Sequence, residues 1–331
     1  MFFERCQSSL YLCSIGWLKH LILPETATVT KINFFNAQFF MNTKTKILIT
    51  GATGNVGIEV LKSLAKLVHN FDVYAGVREI EKDGQKLQGL TAKAILFDFT
   101  IAESYDAALT DCAVLFLLRP PQLSAVKKHF KPLIEAAVQC GVKHIVFLSV
   151  QGVEKNRFIP HHKIEELIVE SKIPYTFLRP AYFMQNFTTT LRHDLVENKK
   201  IFLPAGNAIF TLIDVADIGE AAAKILTETC GHINQCFELT CEEKLTFAEM
   251  AVKLSEGLHT KIVYESPSLL QFYRRKRKEK LSTTLIFVMI LLHYLPRFQK
   301  PPHTTGCVER ILHKLPKSFE QFIAENKGLL S

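Results

Sequence analysis

A short apolar run, Lys46-Ile-Leu-Ile-Thr50, passes directly into Gly51-Ala-Thr-Gly54-Asn-Val-Gly57 and then into an apolar-periodic segment over 58–67. The β-branched run reads as a buried parallel strand and the periodic segment as a helix, which puts the glycines in a tight strand-to-helix turn. Each glycine answers a separate steric need. One permits the turn, one lets a pyrophosphate approach the backbone, and one lets the helix pack on the strand. The start of the helix offers free N–H groups and a partial positive charge to phosphate. The unit points to dinucleotide binding through Gly51, Thr53, Gly54, Asn55, Val56 and Gly57.

Further apolar strands recur at 73–77, 94–97, 113–118, 144–148 and 175–178, with helical patterns near 122–139 and 162–171. Strands alternating with helices predict an α/β fold, a Rossmann-type doubly wound parallel sheet. Ligands of such sheets bind beyond the carboxyl ends of the strands, where Thr50, Arg78, Asp98, Arg119, Ser149 and Arg179 fall. Past residue 180 the pattern is mixed. Thr246-x-x-Glu249 is a capping box opening a helix to about Leu258, and 261–265 reads as a strand. Asp214 and Asp217 read as a helix cap and a first-turn anion, not a catalytic pair. These signals divide the chain into a nucleotide-binding domain at 41–190 and a smaller C-terminal α/β part at 191–331. Residues 1–40 lack an element pattern and carry paired aromatics. The text changes abruptly at Met41, which reads as the true start, with 1–40 an extension outside the natural protein.

The formal net charge is +8. Much of it is concentrated in the run Arg274 to Lys280, an uneven distribution that argues against a broad nucleic-acid face. With the apolar stretch 285–292 behind it, the run is read as a solvated loop or helix face ahead of a helix that closes the substrate site. Nucleic acid, anionic membrane or an acidic partner are the competing readings. The eight cysteines form no C-x-x-C pair and no zinc spacing, which predicts reduced thiols, no metal and a cytoplasmic location. No apolar run reaches the roughly 18–20 residues of a membrane helix.

Several segments carry a family resemblance: Thr50-Gly-Ala-Thr-Gly-Asn-Val-Gly57, Ser149-Val-Gln-Gly-Val-Glu-Lys-Asn156, His162-Lys-Ile-Glu165, Ile173-Pro-Tyr-Thr-Phe-Leu-Arg-Pro180, Phe183-Met-Gln-Asn186 and Asp214-Val-Ala-Asp-Ile218. Together, over residues 44 to about 325, they resemble the NmrA-like branch of the atypical short-chain dehydrogenases/reductases, which implies that the C-terminal part at 191–331 is a smaller α/β substrate-covering part with return elements to the core. An NAD-preferring site carries an acid on the ribose about 20 residues past the glycines. Here Arg78 stands there, placed for the 2′-phosphate of NADP, so NADP(H) is expected over NAD(H). Glu79 points the other way if strand alternation continues. The resemblance further implies Asp98 and Phe99 on the adenine side, Leu118 and Arg119 beside the adenosine ribose and pyrophosphate, and Ser149 near the nicotinamide.

Short-chain dehydrogenases reduce carbonyls with a Tyr-x-x-x-Lys pair. Lys163 matches the lysine and is expected to position the ribose, but four residues back stands Ile159, which cannot donate a proton. His161 and His162 read as a solvent-facing pair in preference to substitute acids. Hydride addition to a ketone makes a strongly basic alkoxide that needs a positioned acid. Addition to a quinone makes a phenolate whose conjugate acid resembles tyrosine, at a pKa of roughly 10, and solvent can protonate it. An NADPH-dependent oxidoreductase acting on quinone- or azo-like small-molecule acceptors is expected. The alternative is a non-catalytic NADP(H)-sensing regulator with a protein partner. Tyr182, Phe183, Met184, Asn186 and Phe187 read equally as an acceptor pocket and as a core segment.

Overall fold

A computed structural model describes residues 45–229 and 231–331; the expectations for residues 1–40 and Met41 lie outside the described residues. Runs of β-branched and aromatic residues form β1 (Thr45–Ile49), β2 (Phe71–Val77), β3 (Lys93–Leu96), β4 (Cys112–Leu118), β5 (His144–Leu148) and β6 (Tyr175–Pro180). Ile47, Leu48 and Ile49 of β1 and Ile145, Val146 and Phe147 of β5 are all fully buried. Both faces of these strands are therefore covered, which is why they read as continuous apolar runs. The connecting helices are α1 (Asn55–Lys66), α2 (Ile80–Gly84), α3 (Glu103–Leu109), α4 (Val126–Gln139) and α5 (Pro160–Glu170). Val60, Leu61 and Leu64 of α1 pack on one face, against Val73 and Val77. Phe130 and Leu133 of α4 and Ile164 and Ile168 of α5 pack on the other, against Leu115 and Phe147.

The remaining strands are β7 (Tyr182–Phe183), β8 (Lys200–Phe202), β9 (Ile209–Ile213), β10 (Gln235–Leu239), β11 (Lys244–Thr246) and β12 (Val263–Glu265). The remaining helices are α6 (Arg192–Asn198), α7 (Val215–Thr227), α8 (Phe247–Leu258), α9 (Leu269–Lys278), α10 (Thr283–Tyr294), α11 (Cys307–Leu312), α12 (Phe319–Glu325) and α13 (Lys327–Leu330). The main sheet runs β10-β6-β5-β4-β1-β2-β3 and is parallel throughout. Its strand order reverses between β1 and β4, which opens a crevice at their carboxyl ends. β10 returns from the C-terminal region to extend the sheet beside β6. α7 lies along α1 so closely that a Cβ on Gly219 would sit 2.6 Å from the Glu59 backbone.

The C-terminal layer holds a separate core around Phe187, Phe247, Phe272, Phe319 and Phe322, with two small sheets, β11-β9-β7 and β12-β8. Thr246 and Glu249 close the expected capping box on α8, and Asp214 caps α7. Most of the basic run is the solvated face expected of it, but Arg275 and Lys276 depart from that reading. Lys276 is only 3% exposed, and its Nζ donates to Asp194 Oδ2 at 2.5 Å and Glu279 Oε2 at 2.8 Å, while Arg275 Nη2 reaches Asp194 Oδ1 at 2.7 Å. A carboxylate as buried as Asp194 is tolerated only when its charge is matched, and α9 brings two cations to it. Among the described residues no helix is long and apolar enough to cross a membrane, and no cluster could hold a metal ion.

Candidate functional site

Thr50 ties the end of β1 to β4 at the reversal point. Its backbone N–H and its hydroxyl both donate to Phe116 O at 3.0 Å, and its Oγ1 accepts from the Leu118 N–H at 2.9 Å. Gly51 follows at φ +62°, where glycine alone is unstrained. A Cβ on Gly57 would lie 2.2 Å from Gly51 O, so the third glycine is demanded by the packing of α1 on the turn. Gly54 is the N-cap of α1, with no side-chain cap and no acid in the first turn. The N–H groups and dipole of α1 are thereby left for an anion from outside the chain. Val56 is buried in the core, so it faces the crevice only through its backbone.

Arg78 is exposed just past β2, and Glu79 turns to Lys82 at 3.5 Å. Asp98 is half-buried past β3, with Oδ1 accepting from both the N–H and the hydroxyl of Thr100 at 2.7 Å. Phe99 is placed differently from its expected role: its ring is buried against Phe97 and Phe130, so only its backbone is available on the adenine side. Arg119 also differs. Its Nη1 donates to the carbonyls of Pro120, Pro121 and Leu123, and its Nε to His161 Nε2 at 3.3 Å, so the guanidinium folds its own loop. Arg179, at the end of β6, is held bidentately by Glu165 at 3.1 and 2.7 Å. Ser149 ends β5 buried, and its Oγ has no hydrogen-bond partner among the described residues.

Lys163 is exposed in the first turns of α5, and Ile159 is that helix's N-cap. The neighbouring histidines are not the solvent-facing pair expected. His161 is half-buried near Phe147, and its Nε2 must accept, because the arginine facing it can only donate. Burial, with the Arg119 charge second, pulls its pKa down to about 3. His162 is fixed between Val153 O at 3.2 Å and Glu166 at 3.3 Å.

The segment after β6 divides between pocket and core. Met184 and Phe187 are fully buried core residues, which corrects their place among pocket candidates; Tyr182, Phe183 and Asn186 stay half-exposed. Tyr182 Oη meets His293 Nε2 at 3.1 Å, and His293 Nδ1 lies 2.6 Å from Met289 O. A carbonyl only accepts, so Nδ1 carries the proton and the phenol donates to Nε2. Burial holds the Tyr182 phenol above its ordinary pKa, against a lowering contact from Asn186, and brings His293 down to about 4. Two residues here escaped the sequence reading. His293 comes from the far end of α10. Lys317 reaches a cavity of about 330 Å³ beside the glycine turn, lined also by Thr53, Asn55, Gln185 and Asp214. Burial lowers the Lys317 pKa, but its bonds to Glu325 and Asp214 outweigh that and raise it.

The open start of α1, the glycine cradle and the unpartnered Ser149 hydroxyl fit a nicotinamide dinucleotide laid across the strand ends. Fold and crevice together define an NAD(P)-binding Rossmann protein. The chain matches the NmrA-like family over residues 43–284 and belongs to it. It is 29% identical to Prestalk A differentiation protein A of Dictyostelium discoideum over 86% of this chain and 93% of that protein. It is 28% identical to the NAD(P)H azoreductase of Xenophilus azovorans, over 68% of this chain and 78% of the other. With quinone oxidoreductase 2 of Escherichia coli the identity is 27%, over 68% and 79%. Among solved structures, the triphenylmethane reductase of Citrobacter sp. complexed with NADP(H) superimposes with a TM-score of 0.76, at 24% identity, over 85% of this chain and 99% of that one.

Proposed function

We propose that this chain is an NAD(P)H oxidoreductase that uses NADPH to reduce quinone- or azo-like conjugated acceptors. The observation that carries the reading is the absence of a poised acid around Lys163. Ile159 stands where a proton-donating tyrosine would be, His161 stays neutral down to a pH of about 3, and the Tyr182 proton is directed at His293. A bound reduced nicotinamide supplies the hydride. Lys163 and Ser149 hold its ribose and ring edge, α1 with its glycine turn holds the pyrophosphate, and Arg78 meets the 2′-phosphate. Asp98 and the Phe99 backbone take the adenine side, and Leu118 walls the turn against Gly51. Tyr182, Phe183 and Asn186 shape an aromatic wall suited to a flat acceptor. A quinone needs no acid from the protein, since its reduced form is a phenolate of pKa near 10 that water can protonate. The names of the azoreductase and quinone oxidoreductase relatives agree with this reading.

An acceptor panel tests it, with NADPH oxidation followed by absorbance. Turnover is expected with quinones or azo dyes and little with simple ketones. Tight nucleotide binding without turnover on any acceptor would replace the enzyme with a sensor. Brisk ketone reduction would show that the site owns an acid.

A further inference from the structure

Helix α10, Thr283–Tyr294, is apolar on every side yet lies at the surface. Ile286, Met289 and His293, spaced three and four apart, face inward. Around the rest of the helix Leu285, Phe287, Val288, Leu291 and Leu292 are exposed, Phe287 by 55% and Leu292 by 57%, and Leu295 and Phe298 continue the surface just beyond it. An apolar arc of this breadth is more than one helix of a water-facing protein leaves uncovered by chance. Twelve residues rise only about 18 Å, too short for a hydrocarbon core of about 30 Å, so the helix can lie on a bilayer but not cross it.

Charge identifies the kind of surface that covers it. α9 packs against α10 through Tyr273 and Phe287, whose rings are 6.2 Å apart. Of the cations in the basic run, Arg275 and Lys276 are engaged inside by Asp194 and Glu279. Arg274, Arg277, Lys278 and Lys280 are exposed, and no acidic side chain pairs with them among the described residues. Arg297 and Lys300 are exposed past the other end of α10, and no Asp or Glu occurs between Glu279 and Glu309. Cations flanking an exposed apolar helix match the charge and depth profile of an anionic lipid surface. A second copy of this chain would instead bring the same cations together.

We infer that the α9–α10 face docks on anionic membrane, with the outer side chains of α10 in the interface and the flanking cations on lipid headgroups. The inner face of the same helix holds Tyr182 through His293, so on the reading proposed above docking sets the acceptor side of the crevice at the lipid boundary. The docking itself does not depend on turnover.

Co-flotation of the full chain with vesicles of phosphatidylcholine, alone or with about a third phosphatidylserine, tests the inference directly. Partition is expected to rise on the order of 10²-fold with the anionic lipid, at about fivefold for each of roughly three cations engaged at once, and to fall as salt screens the charges. The double variant Leu291→Gln, Leu292→Gln and the triple variant Arg274→Ser, Arg277→Ser, Lys278→Ser should each lose most of the partition. Both alter only exposed side chains, so NADPH titration should stay at the parent value and report intact folding. Equal partition into both vesicle types, or none into either, overturns the inference. So does a dimer, seen by light scattering, that the double variant splits while vesicles have no effect; the face then belongs to a second copy. Flotation that appears only when the chain begins at Met41 would assign the face to residues 1–40 and overturn it as well.

Discussion

The two walls of the crevice are built by opposite means. On the β1–α1 wall the chain contributes backbone: a turn of glycines and an uncapped helix start. On the α5 and β7 wall it contributes side chains already bonded to one another: Arg119 to His161, Arg179 to Glu165, Tyr182 to His293. On the reading proposed above, the first wall would hold a charged ligand by leaving its own donors open. The second presents few free protons and suits a reaction in which the protein orients two flat molecules and lets water finish the proton transfer.

Substitutions on the two walls should therefore differ in size. Gly57→Ala strikes the first wall hardest, since its Cβ would meet Gly51 O at 2.2 Å. NADPH binding by calorimetry is expected to fall below detection. Retained binding would mean that α1 can slide on the turn, and the contrast between the walls would weaken. Lys163→Ala should cut turnover by about 10²-fold by loosening the ring that must approach the acceptor. A loss confined to KM would place it in binding alone. Arg78→Ala should cost NADPH about 10- to 100-fold in affinity, the range of a charged hydrogen-bonded contact, and leave NADH nearly unchanged. Equal loss of both nucleotides would remove Arg78 from the 2′-phosphate.

Acid tests the second wall together with the sheet behind it. His144, the first residue of β5, and His293, behind Tyr182, are each 3% exposed and brought by burial from 6.5 to about 4. Unfolding frees both to take up protons, so their stabilising neutrality is complete above pH 6.5 and is lost as pH falls toward 4. Each steepens the loss by up to about 1.4 kcal/mol per pH unit. Melting temperatures between pH 7.5 and 4.5 should fall accordingly, and His293→Leu should flatten the slope. An unchanged slope would mean that His293 takes up its proton in the folded protein. The smallest effects belong to His161→Ala and Tyr182→Phe, each expected within a few-fold of the parent in quinone reduction. Removing a true general acid costs about 10²–10⁴-fold, and a drop of that size at either residue would overturn the contrast.

The first wall was legible in the amino-acid order because its physics is local. Strand, turn and helix occupy 22 consecutive residues, 46–67, and Gly54 and Gly57 answer to Gly51 and Ala52 within that stretch. The capping box of α8 and the Asp214 cap were legible for the same reason. The second wall was not. Tyr182 and His293 are 111 residues apart, and Asp194 and Lys276 are 82 apart. No periodicity in either segment announces the other, so Lys276 reads as one more surface cation and His293 as the end of an apolar stretch. Met184 and Phe187 share a segment with Tyr182 and Asn186, and only the three-dimensional course of the chain sorts core from pocket.

The close seating of α7 on α1 carries a consequence for how the protein is made. The glycine turn and its helix leave the ribosome early, yet the surface α1 needs at Glu59 is furnished by Gly219, some 160 positions later, and the seventh strand of the sheet follows later still. Parallel pairings of such long separation form late and slowly. A nascent chain halted before α7 would bear the nucleotide-binding motif with one flank of its helix bare to water. Firm retention of nucleotide would then await the arrival of α7, long after the motif itself has been made.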